Sequence, residues 1–182
     1  KNYHLNKTIE CEKHEIELIH IFEDEWIYKK DIVKSRLANI LDKSTRYYAR
    51  QLMIKQVATD VSRIFLESTH IQGYAGSSIN FGLYNGNELV AIMTFGKSRY
   101  NKNYQYEIIR YSSKNTVVGG ASKLFTHFIR TYEPESVISY CDMRWGTGAM
   151  YEKIGMTFIK QTAQGYSYTD FVKRYHRSTF TK

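Results

Sequence analysis

Val118, Gly119, Gly120, Ala121 and Ser122 stand between an apolar strand candidate, Tyr106 to Tyr111, and a segment in which Leu124, Phe125 and Phe128 recur at helical spacing. Small residues at such a corner let backbone N–H groups face outward where a helix begins. Those orphan donors and the helix dipole together favour an anion such as a pyrophosphate. The same two glycines could instead make a tight turn beneath a packed helix. Glu107, a candidate catalytic carboxylate, and Arg110 lie in the preceding strand, three apart, which in regular pleating sends them to opposite faces, one into the site and the other away. A charge in an otherwise apolar strand needs a partner, so Arg110 is the basic residue most expected to matter. Asp142 ends a second central strand candidate, Val137 to Cys141, where a carboxylate is well placed for proton transfer or for a surface pair with Arg144.

The other charge-bearing pattern is basic and aromatic. Lys97, Arg99 and Lys102 alternate with Tyr100 and Tyr104, Arg144 precedes Trp145, and Arg174 and Arg177 stand in the tail. Cations that neutralise phosphates beside rings that stack on bases suit DNA, although such loops are also common as solvated surface. Residues 1–44 hold eight Lys and Arg against nine Asp and Glu, leaving eighteen against nine for the remainder, so the net charge of +8 resides in the second part. Glu23, Asp24 and Glu25 could bind a divalent cation or form a solvated turn that caps the next helix.

The first segment is helix, strand, helix: about Tyr3 to His14, Ile16 to Phe22, then a helix carrying Ile32, Leu37, Ile40 and Leu41. A short basic stretch, 43–50, is the only linker candidate and places a boundary near residue 45. A β candidate at Gln51 to Ile54 precedes a helix from about Thr59, a plausible N-cap, to Ser68. Ile79 to Tyr84 and Glu88 to Phe95 flank Asn85-Gly86, a turn expected to need positive φ at both central residues. After the Gly-Gly helix and the strand 137–141 come a loop, a helix ending at Gly155, a strand, and a last strand within 164–171.

With 182 residues, 42% of them hydrophobic, the chain can bury a core of its own. No stretch approaches a membrane span, and no apolar signal region opens the sequence. Cys11 and Cys141 lack CxxC spacing, which argues against zinc and fits a reducing cytoplasm.

Three resemblances follow from these residues. Tyr3-His4-Leu5-Asn6-Lys7-Thr8, Cys11-Glu12-Lys13 and the stretch Ile16 to Trp26 look like the last helix and strand of the Vsr-like nuclease fold, found in very-short-patch repair endonucleases and in phage homing endonucleases. The family's metal-binding and catalytic stretch would lie upstream of Lys1, so the resemblance implies a divalent metal only with that part present. Residues 51–171 resemble the Gcn5-related N-acetyltransferase fold: the hairpin, Val118 to Ser122 where the family holds acyl-CoA pyrophosphate, and Ala149 to Met156 as its later helix. The resemblance makes Tyr151 a proton donor to departing CoA, while Thr116 or Val117 replaces the usual Gln or Arg of the phosphate loop. Glu107 to Arg110, Gly119 to Ser122, Ser139 to Asp142 and Gly148 to Gly155 are similar to phage Mom-type DNA-modification proteins and to the domain that follows the Vsr-like nuclease in phage homing endonucleases.

The expectation is therefore an α+β protein with a mixed sheet flanked by helices, 1–44 being the end of a Vsr-like domain and 45–182 an acetyltransferase-like, Mom-like domain. DNA is its expected partner and a phage-infected bacterial cytoplasm its setting. It would act as the DNA-targeting portion of a homing endonuclease-like protein, or as an acyltransferase or base-modifying enzyme using an acyl-CoA-type cofactor.

Overall fold

The computed structural model describes residues 3–162, 165–176 and 179–180. Helix α1 (Tyr3–Lys13) is followed by an extended stretch and by α2 (Glu23–Tyr28) and α3 (Lys30–Ile40). Strand β1 (Arg46–Tyr48), a 3-10 turn (Ala49–Gln51), β2 (Met53–Gln56) and α4 (Thr59–Thr69) come next. Then follow β3 (Ile79–Asn85), β4 (Glu88–Lys97), β5 (Tyr106–Ser113), β6 (Thr116–Val118), α5 (Gly120–Tyr132) and β7 (Val137–Ser139). The short α6 (Ala149–Lys153), β8 (Ser167–Thr169) and β9 (Arg174–His176) complete the order.

Five strands form a mixed sheet in the order β2-β3-β4-β5-β7, antiparallel except for the last pair, β5 with β7. This is an α+β architecture with helices on the sheet. One face carries α5, whose Leu124 and Phe128 join Phe81, Leu83, Met93, Phe95 and Ile108 in the main core. Phe128 stacks on Phe95 at 3.8 Å between centroids. The other face carries α4, whose Phe65 and Leu66 pack with Val57, Leu89 and Ile92. Each helix buries a stripe set by its 3.6-residue period, and each strand serves both faces through its two-residue alternation.

A third cluster joins α3 to the rest: Ile32 and Val33 pack with Ile71 and with Trp145 beyond β7. Lys29 Nζ donates to Ile71 O at 2.7 Å, and Ser35 Oγ to Lys114 O at 3.1 Å.

Several sequence expectations are corrected here. Residues 16–22 form no strand; no described strand pairs with them, and their ends are tied locally instead, Ile16 N–H to Cys11 O at 3.0 Å and Phe22 N–H to a Glu25 carboxylate oxygen at 3.2 Å. The acidic run 23–25 is the first turn of α2, where carboxylates suit the helix dipole. Ala58, in extended backbone, occupies the N-cap of α4 and Thr59 is its first helical residue. In the hairpin Asn85 pairs with Glu88, so the loop is Gly86-Asn87 and only Gly86 has a positive φ, of 60°. Gly at the first loop position is the pattern of the type II′ turn. Residues 156–160 form no strand; the expected last strand reduces to β8, and Gln164 lies outside the described residues.

Candidate functional site

Strands β5 and β7 run parallel for only three pairs, ending at Ile108 with Ser139. Strand β5 continues to Ser113, whereas the chain leaves β7 at Tyr140. Beyond Ile108 the edge of β5 that faced β7 therefore has no strand on it. A register shift against β4, where Thr94 pairs with Arg110 and Phe95 with Ile108, leaves Ile109 as a bulge beside that divergence.

The bulge alters the facing of the strand. Tyr106, Ile108 and Tyr111 pack on the α5 side, while Ser112 bonds Thr69 of α4 and Arg110 bonds the carbonyl of Gly73 just after α4. The extra residue resets the alternation and returns Arg110 to the face of Glu107, contrary to the opposite faces that regular pleating predicts.

Glu107 is buried and accepts hydrogen bonds from Arg99 three times, from the backbone N–H at 3.0 Å, from Nε at 3.2 Å and from a second guanidinium nitrogen. A carboxylate so engaged is a structural anchor for the β4–β5 loop and not the catalytic group expected. Among the described residues Arg110 has no carboxylate partner; Nε donates to Gly73 O at 3.1 Å and a terminal nitrogen to Ile109 O at 2.9 Å. Burial, followed by the nearby Arg99 charge, pushes its pKa down.

Tyr151 of α6 lies against the main core, within hydrogen-bonding reach of the Ser139 side chain at the end of β7. Burial is the largest influence on its hydroxyl and pushes the pKa up. Asp142 is held by Arg144, from Nε at 3.2 Å and from a terminal nitrogen at 2.8 Å. Burial pushes Asp142 up, but the Arg144 hydrogen bonds and charge outweigh it and hold the carboxyl below its ordinary value. That makes Asp142 a weak base. Ser139, at the end of β7, and Tyr111 of β5 lie beside these groups and were given no role of their own by the sequence.

At the corner itself Gly119 caps α5 with φ 74°, a left-handed conformation that glycine adopts without strain. A Cβ there would meet only Ala49 Cβ, at 3.7 Å. Gly120 is closed in: its Cβ would lie 2.8 Å from Val117 Cγ1 and 2.9 Å from the Tyr111 hydroxyl oxygen. The Tyr111 hydroxyl lies beside the Ala121 N–H, and burial pushes its pKa up to about 12. Lys123 N–H closes the first turn on Gly119 O, which leaves the N–H groups of Gly120 and Ser122 without an intrahelical acceptor. Half of the expected cradle is filled and half is open. Val118 is exposed beside the open half.

The basic residues expected to contact DNA are mostly engaged inside the protein. Arg144 pairs with Glu25 as well as Asp142; Arg174 pairs with Asp24 at 2.7 Å and Glu25 at 2.9 Å. The two guanidiniums lie over the Phe22 ring at 4.6 and 3.5 Å. Lys102 Nζ donates to Ser98 O at 2.9 Å, while Lys97 is exposed. Arg177 lies outside the described residues. Trp145 is buried with Arg36 over its ring at 4.8 Å, which withdraws it from stacking on a base. Tyr100 is 70% exposed and meets Tyr140 edge-on at 5.7 Å. The acidic run offers no metal site, because Asp24 and Glu25 serve these arginines; among the described residues no group of three or more His, Cys, Asp or Glu could hold a metal ion.

A groove of about 680 Å³ opens on the side of α5 away from β7, lined by Tyr48, Arg50 and Ile54 and by Gly119, Ser122, Lys123, Thr126, His127 and Arg130 along one helix face. The polar stripe of α5 carries that signal in the sequence, at spacings of three and four between its apolar positions.

Among the described residues no helix is long and apolar enough to cross a membrane. A scan against models of known protein families finds no match to this chain, and no curated protein matches it.

Proposed function

We propose that this protein has an N-acetyltransferase-like domain that binds a phosphate-bearing, acyl-CoA-type cofactor where β5 and β7 part. The observation that carries the reading is the parallel pairing that stops at Ile108 and Ser139, with the N-terminus of α5 and its Gly119 cap nearby. Divergence of parallel strands leaves backbone donors and acceptors of β5 for an extended ligand, and the Gly120 and Ser122 N–H groups suit the ligand's phosphates. The open backbone at Gly119 fits such a group, whereas Gly120, filled by Val117 and Tyr111, confines it to one side. Acyl-CoA would supply an activated acyl thioester. Tyr151, kept protonated by burial, holds a proton at its hydroxyl next to Ser139, available to a leaving sulfur. Glu107 and Asp142, both bound to arginines, orient loops in this reading.

The test is a thermal melt with acetyl-CoA. A ligand at a hundredfold excess over its Kd stabilises by about 2.7 kcal/mol, which for a domain of this size raises Tm by about 5–10 °C. An unchanged Tm at millimolar acetyl-CoA would contradict the reading.

The charge favours a second reading. Residues 45–182 carry a net +9 on the counts above, and a positive domain suits DNA targeting, with residues 1–44 docking a Vsr-like nuclease part. It predicts DNA affinity that falls steeply with salt; salt-insensitive binding would rule it out.

A further inference from the structure

We infer that the groove between the β1–β2 turn and α5 is a track for the phosphates of a single nucleic-acid strand; the inference rests on the DNA reading and gives it a site that none of the sequence-picked arginines provides. Four cationic or titratable bases line the groove, Arg50, Lys123, Arg130 and His127, and no carboxylate does. Arg50 and Arg130 are exposed, and among the described residues neither makes an ion pair. Arg99, Arg144 and Arg174, by contrast, are neutralised by internal carboxylates.

Geometry selects an elongated polyanion. From Gly119 to Arg130 the lined face of α5 extends about 16 Å at 1.5 Å per residue, the axial length of about five nucleotides of one strand at 3.4 Å each. Lys123 is fixed: its ammonium donates to Ala49 O at 2.8 Å and Leu52 O at 2.6 Å, so it holds the wall in place and adds charge. Tyr48 is 43% exposed at the edge, with Arg50 over its ring at 5.6 Å, a surface on which a base can stack. The groove runs toward β2, the opposite edge of the sheet from β7, and meets the proposed cofactor site at the helix corner, where both use Gly119 and Ser122, while Arg50 and Arg130 belong to the groove alone.

The test is fluorescence anisotropy of a labelled dT12 oligonucleotide across 50–300 mM salt, with the full chain and with the double variant Arg50→Gln/Arg130→Gln. Both side chains are exposed, so the fold is expected to persist, as an unchanged melt will verify. The expected result is at least about tenfold weaker binding at 100 mM salt and a salt slope reduced by about 1.4, two phosphates at about 0.7 each. Thr126→Glu, which places a negative charge on the exposed groove floor, is a second variant expected to weaken binding. Unaltered affinity and slope in both variants would overturn the inference. So would failure of the native chain to bind dT12 at 50 mM salt, or ADP binding that depends on Arg50 and Arg130 without dT12 binding. The acetyl-CoA melt is independent of these side chains, so loss of one property with retention of the other separates the two proposals.

Discussion

In the proposed acyl transfer Tyr151 is the residue on which the chemistry would turn, because among the described candidates, Glu107, Asp142 and Tyr151, it alone is not bound to an arginine. Tyr151→Phe keeps the ring that packs on the core and removes the hydroxyl beside Ser139. It is expected to lower kcat for acyl transfer about a hundredfold while leaving the acetyl-CoA thermal shift intact. An unchanged kcat would remove Tyr151 from the mechanism. The carboxylates belong to stability instead. Burial pushes Asp24 up, but Arg174 outweighs it by hydrogen bonds and charge, so the folded pKa lies below the ordinary value of 3.8. The contribution of this pair is therefore present above pH 4 and is lost as the pH falls through the depressed folded value. Melts of the native chain and Asp24→Asn from pH 7 to pH 2 should differ most at neutral pH and converge in acid. His70 is a structural histidine: burial pushes its pKa down to about 3 and Nδ1 accepts from Gln72 N–H at 3.1 Å.

At the scale of elements, the strand-to-helix corner is held by contacts around its second glycine. Gly120→Ala would set a Cβ 2.8 Å from Val117 Cγ1 and against the Tyr111 hydroxyl that lies beside the Ala121 N–H, and is expected to destabilise by about 1–3 kcal/mol, readable in urea. Gly119→Ala meets no such crowding and is expected to lose about 1 kcal/mol from its left-handed backbone alone. The corner, the hairpin and the two amphipathic helices were legible in the sequence, because each follows from local pattern: small residues before a helical stripe, and Gly86 at a turn. What sequence could not supply was partner choice. The apolar run 16–22 has strand composition yet pairs with no described strand. The bulge at Ile109 depends on β4, and it moved Arg110 to the face of Glu107. The arginines looked free because their partners, such as Glu25 for Arg144, are far away along the chain.

At the scale of the molecule, one ionic knot ties three distant segments. Glu25 of α2 accepts from Arg144 beyond β7 and from Arg174 of β9, with Phe22 beneath both guanidiniums. Glu25 is 6% exposed, so Glu25→Ala leaves two guanidiniums short of a buried partner and is expected to cost about 3 kcal/mol or more, a Tm drop of about 6–12 °C. A drop below about 1 °C would mean that the knot is ornamental.

The central claim is that the backbone beside the parting strands receives a phosphate-bearing ligand, and it is most directly tested by amide resonances of the 15N-labelled chain during titration with acetyl-CoA. Saturating shifts at Gly119, Gly120, Ser122 and Ile109, with smaller ones at Arg50 and Arg130, are the predicted result. Resonances of the corner that stay in place at millimolar acetyl-CoA would contradict the account.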